Sequence, residues 1–96
     1  MSDGERPENK KKNRYRNNLP YDDTRVKLSI INDDPFSNYI NASHVYGFGG
    51  VLKYIASQGP KDANVNTIGD FWRMIREQHI SVIVMVANFV EGGKVI

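Results

Sequence analysis

Ninety-six residues, 40% of them hydrophobic and 10% aromatic, suit one small globular unit. With no cysteine, these residues offer no disulfide, no thiolate metal site and no thiol nucleophile, which fits a reducing, intracellular and most simply cytoplasmic compartment. The formal charge of +2 is uneven: residues 1–16 hold six Lys or Arg against three acids, and residues 17–96 hold seven against eight.

The first twelve residues are polar, charged and broken by Pro7, with too few apolar side chains to offset the entropy of ordering. They read as a flexible basic lead-in without a helical pattern, and residues 13–96 as the folded part. Lys10, Lys11, Lys12, Arg14 and Arg16 form a dense basic run with two readings. One is a solvated tail; the other is a surface for nucleic acid or an anionic membrane, ranked lowest among the functional readings. The start has no apolar run behind a positive end, and the longest apolar stretch, residues 82–87, is too short to cross a bilayer. Neither secretion nor a membrane span is expected.

Val26, Leu28 and Ile30 alternate with Arg25, Lys27 and Ser29, the period of a half-buried strand over residues 25–31. Asn32-Asp33-Asp34-Pro35 ends it, since proline cannot donate to a ladder and Asn and Asp favour turns. Strands are expected at 38–43 and 52–57, joined through Gly47, Gly49 and Gly50 as an antiparallel pair. Thr67 with Asp70 offers a helix cap and a first-turn acid, so a helix begins near Ile68. Ile68, Phe71, Trp72 and Ile75 share one face for the core, with Arg73, Arg76 and Glu77 largely opposite. Residues 80–86, apolar and β-branched, read as a strand buried on both faces, and Lys94-Val95-Ile96 after Gly92-Gly93 as the start of another.

The fold class is therefore mixed α/β: an incomplete twisted mixed sheet with a flanking helix. The strand at 80–86 expects a neighbour on each edge, and the chain stops soon after it. Self-association through that exposed edge is expected, because an unpaired apolar strand is a template for pairing.

Four blocks carry a resemblance: Lys12-Asn13-Arg14-Tyr15 with Pro20-Tyr21-Asp22 and Arg25-Val26-Lys27-Leu28; Asn38-Tyr39-Ile40-Asn41-Ala42-Ser43; Tyr54-Ile55-Ala56-Ser57-Gln58-Gly59-Pro60; and Asp70-Phe71-Trp72-Arg73-Met74. In this order, followed by Val84-Met85 and Glu91-x-Gly93, they resemble the amino-terminal part of a protein tyrosine phosphatase domain, receptor or non-receptor. The resemblance implies phosphotyrosyl proteins as substrates, a cysteinyl-phosphate intermediate and no cofactor. It also implies that the Trp-Pro-Asp and Cys-x5-Arg loops would lie beyond Ile96, so the chain is expected to be inactive alone.

Substrate recognition is the family function whose residues are present. Tyr15 matches the aromatic residue of the phosphotyrosine-recognition loop, whose ring packs on the substrate phenyl ring and sets the pocket depth. Arg16 matches a position that meets acidic residues flanking the phosphotyrosine, and Asn18 a position beside the ring. Asn17 stands where the family usually has an aspartate that accepts from the substrate backbone; an amide is a weaker, uncharged acceptor. A non-catalytic phosphotyrosine-binding or decoy module is the alternative. Arg14, Arg25, Tyr39, Asn41 and Gln58 read as structural, holding turns and buried polar networks. His44 and His79 have no ligand spacing around them, and no metal site is expected. Glu91 matches an acid that in the family pairs with the phosphate-loop arginine.

Overall fold

The computed structural model describes residues 2–46, 52–62, 65–85, 90–91 and 94–95. The alternation through Val26 and Leu28 produces a strand shorter than its pattern: β1 is Arg25–Lys27, with one further bond from the Leu28 N–H to the Asn38 carbonyl at 2.9 Å. Asn32 and Asp33 take up left-handed backbone (φ 53° and 58°) and turn the chain so that Ile31 bridges Asp34. Asn and Asp tolerate that conformation better than other side chains. Asp34 then caps the 3-10 turn Pro35–Asn38, its carboxylate accepting from the Phe36 N–H at 2.9 Å. The turn carries Ile30 away from the core, and it is 56% exposed.

β2 (Tyr39–Tyr46) and β3 (Leu52–Ser57) pair antiparallel, with Ala42 opposite Ser57 and His44 opposite Ile55. β1 pairs antiparallel with β2, giving the order β1-β2-β3. The glycines expected to join β2 and β3 lie outside the described residues. β2 is covered on both faces near its start. Ile40 and Ala42 pack with Val26, Leu28 and Met74 of α2 (Ile68–Glu77), whereas Tyr39 and Asn41 meet the segment around Asn13 on the other face. Each buried Val, Leu or Ile contributes about 1.5–3 kcal/mol, so this cluster is the main hold between helix and sheet.

α2 begins where its cap residues predict, although the cap differs. The Thr67 hydroxyl accepts from the Lys61 N–H (2.8 Å), and Asn66 Oδ1 instead accepts from the Ile68 N–H (2.8 Å). The buried stripe is also rotated from the expected face. Met74 is fully buried with Phe71 and Ile75 beside it, while Ile68 is exposed and Trp72 is 57% exposed. Arg73, expected on the outer face, lies over the β1 exit and donates to the Ser29 and Ser37 carbonyls. Glu77 joins it, accepting from the Ser29 N–H (2.9 Å) and hydroxyl.

Two further expectations are corrected. Residues 1–12, read as a lead-in without a helix, contain the 3-10 turn Asp3–Glu5 and the short helix α1 (Pro7–Lys10). Polar side chains order this segment in place of apolar ones: Asp3 Oδ2 accepts from Arg25 Nε at 2.8 Å, the Asp3 N–H donates to Asp22 Oδ1 at 2.9 Å, and Asn9 is buried. The arginine holds the Asp3 carboxyl below the usual carboxylate range. Residues 80–85 form no strand, and Val82, Ile83, Val84 and Met85 are exposed. A ladder needs a partner edge, and none reaches them among the described residues. Further on, β4 (Val90–Glu91) pairs antiparallel with β5 (Lys94–Val95), the latter where a strand was expected to start. Gly92 and Gly93 lie outside the described residues.

Candidate functional site

The segment from Asn13 to Leu19 has no regular structure, so its shape depends on side chains reaching it from the fold. Asn13 is the centre of that arrangement and is buried. Its Nδ2 donates to the Gly4 carbonyl (3.0 Å), and its Oδ1 accepts from the Tyr39 hydroxyl (2.6 Å) and from Asn41 Nδ2 (3.1 Å). Asn41 also donates to the Asn18 carbonyl at 2.6 Å, tying the far end of the loop to the same strand. Burial pushes the Tyr39 hydroxyl up to about 12, so it is a permanent donor at neutral pH.

Gln58, at the end of β3, closes the other flank. Its Oε1 accepts from the Arg14 N–H (2.8 Å) and its Nε2 donates to the Lys12 carbonyl (2.7 Å), one bond on each side of Asn13. The Arg14 guanidinium donates to the Gly59 carbonyl (2.9 Å) and the Pro60 carbonyl (3.3 Å), and Lys61 Nζ donates to the Lys11 carbonyl (2.7 Å). Lys12 Nζ donates to the Phe36 carbonyl at 2.6 Å, and burial lowers its ammonium from the ordinary lysine value. Two members of the basic run, Lys12 and Arg14, are therefore committed to backbone carbonyls inside the fold, which leaves a smaller cationic surface than the sequence suggests.

Between these anchors the loop turns back, the Asn18 N–H reaching the Tyr15 carbonyl at 3.3 Å, and Tyr15 is presented 47% exposed. Tyr15 and Asn18 border a cleft of about 950 Å³ that runs past β3 and α2 to residues 80–85. Arg16 borders a separate pocket of about 330 Å³ with Lys10 and Leu19, and Asn17 is exposed and borders neither. The four residues singled out by sequence are thus divided: two at the cleft, one at the smaller pocket, one in solvent. The residues that sequence reasoning assigned to structure, Arg14, Tyr39, Asn41 and Gln58, do hold the loop. Asn13, Lys12 and Lys61 were missed as holders; the one signal for Asn13 was its place beside Arg14 and Tyr15.

The described residues contain no group of His, Cys, Asp or Glu that could hold a metal ion, and no helix long and apolar enough to cross a membrane. The model of the protein-tyrosine phosphatase family matches residues 9–95. The chain belongs to the protein tyrosine phosphatase family. It is 53% identical over 94 residues to mouse receptor-type tyrosine-protein phosphatase C, covering 98% of this chain and 7% of that protein. It is 46% identical over 91 residues to human tyrosine-protein phosphatase non-receptor type 18, covering 95% and 19%. Among solved structures, the catalytic domain of human non-receptor type 18 superimposes with a TM-score of 0.81 at 46% identity, over 96% of this chain and 32% of that one. A complex of PTPN18 with HER2 phosphopeptides superimposes with a TM-score of 0.82, over 96% and 31%. The chain therefore spans a small part of its curated relatives and about a third of the solved domain, and its fold is that of a partial phosphatase catalytic domain.

Proposed function

We propose that these residues form the phosphotyrosine-recognition side of a tyrosine phosphatase domain of intracellular location, with Tyr15, Arg16, Asn17 and Asn18 facing the substrate peptide. The observation that carries this reading is the placement of Tyr15: half-exposed, at the rim of a largely apolar cleft, on a loop fastened on both flanks by Gln58, Asn13 and Asn41. A ring held in that way can stack on a substrate phenyl ring with little entropy lost on binding. A phosphoserine, with no ring, leaves the contact unmade. Arg16, 3 to 1 in charge with its neighbours Lys10 and Glu5 around the smaller pocket being two cations to one acid, favours acidic residues beside the phosphotyrosine.

In the family the phosphoryl group passes to a cysteine thiolate. These 96 residues hold no cysteine, so on this reading the chain by itself recognises and does not hydrolyse, which is also what a non-catalytic binding or decoy role would require. The test is a titration of the 96-residue chain, followed by backbone amide shifts, with a phosphotyrosyl peptide and its phosphoserine counterpart. The phosphotyrosyl peptide should shift the amides of residues 15–18 with weak, salt-sensitive affinity, and Tyr15→Ala should abolish the preference. Equal response to both peptides, or metal-free turnover by the pure chain, would overturn the reading.

A further inference from the structure

β3 is the last strand of its sheet, and among the described residues nothing pairs with its outer edge. Its inner-face residue Ile55 and the α2 residues Phe71 and Ile75 border the same cleft as residues 82–85, whose side chains are exposed by 74%, 51%, 78% and 53%. Of the residues bordering that cleft, Arg14 and Asp62 alone carry charge, and the Arg14 guanidinium is already bonded to the Gly59 and Pro60 carbonyls. An open ladder edge beside an apolar trough selects one kind of occupant: an extended, apolar segment that completes the ladder with its backbone and fills the trough with alternate side chains. The six residues of β3 offer such a segment a run of about 20 Å.

We propose that this cleft is a docking surface for the remainder of a tyrosine phosphatase catalytic domain, and that it accepts that remainder as a separate polypeptide as well as in one continuous chain. The occupant follows from the comparison of sizes. The chain superimposes on a solved phosphatase domain over 96% of its own length with a TM-score of 0.82, yet accounts for 31% of that domain. Its backbone therefore already has the arrangement found within the larger unit, while about two thirds of that unit lies outside it. A second copy of this chain is a poorer occupant, because the exposed apolar segment it would bring, residues 82–85, is itself a border of the cleft. The inference rests on family membership and on this surface, not on phosphotyrosine recognition.

The test co-expresses the tagged 96-residue chain with an untagged polypeptide comprising the part of the human non-receptor type 18 catalytic domain that the chain does not match. The expected result is co-purification at a one-to-one ratio, with slower amide exchange at β3 and residues 82–85 than in the chain alone. Val84→Lys should reduce capture more than tenfold, since docking would bury an unpaired ammonium. Ile30→Lys, at an exposed position that does not border the cleft, should leave capture unchanged. If the second polypeptide is soluble only beside the wild-type chain and not beside Val84→Lys, the proposal is equally supported. Insolubility with both, capture that ignores Val84→Lys, or a chain that forms homodimers through β3 and captures nothing would overturn it. Capture is read without a phosphopeptide, so a chain that docks but ignores phosphotyrosine would refute the recognition role alone.

Discussion

Replacing Gln58 with alanine should loosen the recognition loop while leaving the sheet and helix in place. The amide of Gln58 extends the work of β3 beyond its last residue: one backbone bond to the Asn41 carbonyl (3.2 Å) keeps it on the sheet, and its side chain takes the Arg14 N–H and the Lys12 carbonyl. Gln58→Ala removes both side-chain bonds. Each is worth about 0.5–1.5 kcal/mol, and because Lys12 and Arg14 are only half-buried, water replaces part of the loss, so about 1–3 kcal/mol is expected for opening of the loop. Amide exchange at Arg14 should therefore quicken about 5- to 150-fold. Exchange at Ile40, within β2, should not change. Gln58→Glu separates the two bonds: an ionised carboxylate still accepts from the Arg14 N–H but cannot donate to the Lys12 carbonyl, so its effect should fall between wild type and alanine at neutral pH. The reasoning is refuted if Arg14 exchange changes less than about twofold, or if Ile40 quickens equally, which would mean global rather than local loss.

Asp3→Ala should cost about 1–3 kcal/mol in a denaturant titration. It leaves a mostly buried Arg25 guanidinium with two long contacts to Asn38 at 3.5 Å, and the loss is smaller than for a fully buried pair because Asp3 is itself partly exposed. The Asp3 carboxyl lies below its unfolded value, about 3.9, so its contribution is complete above that pH and is lost as pH falls through the lower folded value; Asp3→Ala should remove that acid limb. Two glycine replacements should act with opposite sign: Gly4→Ala places a Cβ 2.9 Å from the Tyr39 hydroxyl oxygen and should cost about 1–3 kcal/mol, whereas Gly69→Ala in α2 meets nothing within 4 Å and should stabilise by about 0.5–1 kcal/mol. Tyr39 has a folded value near 12 against about 10 unfolded, so stability should be intact below pH 10 and fall as pH rises towards 12. Tyr39→Phe should remove that alkaline slope in a pH series of denaturation midpoints, and an unchanged slope would exclude Tyr39 as its source.

The strands and helix were legible where local pattern and tertiary contact agree. β3 lies at the expected residues, and β2 includes its expected core of 38–43 apart from Asn38, because alternating residues there have a helix on one face and the N-terminal segment on the other. α2 shows where pattern misleads. A stripe drawn from apolarity selects Trp72 and passes over Met74, but the helix is turned by Arg73 and Glu77, whose polar ends reach Ser29 and Ser37 on the β1 exit. That exit loop is more than thirty residues away in sequence, and no periodicity within the helix reports on it. The apolar run at 80–85 fails in the opposite sense: composition specifies a buried strand, but a strand is a relation between two edges, and the second edge is missing among the described residues.

The same distinction separates the visible from the hidden part of the site. Tyr15 could be named from its block because a recognition aromatic is identified by its neighbours in sequence, and the structure places it at the cleft. What fixes it there is a set of bonds spanning 26 to 46 residues, from Tyr39 to Asn13, from Asn41 to Asn18 and from Gln58 to Lys12 and Arg14. Amide and hydroxyl side chains carry no hydropathy signal, so this framework is silent in any pattern of apolar residues, and it is equally responsible for ordering residues 3–10, which composition alone assigns to a lead-in. A loop built in this way is held by directional bonds that either form or do not, in contrast to the graded apolar packing of the sheet. Its disruption should therefore be local and abrupt, with Tyr15 losing its position before the helix leaves the sheet.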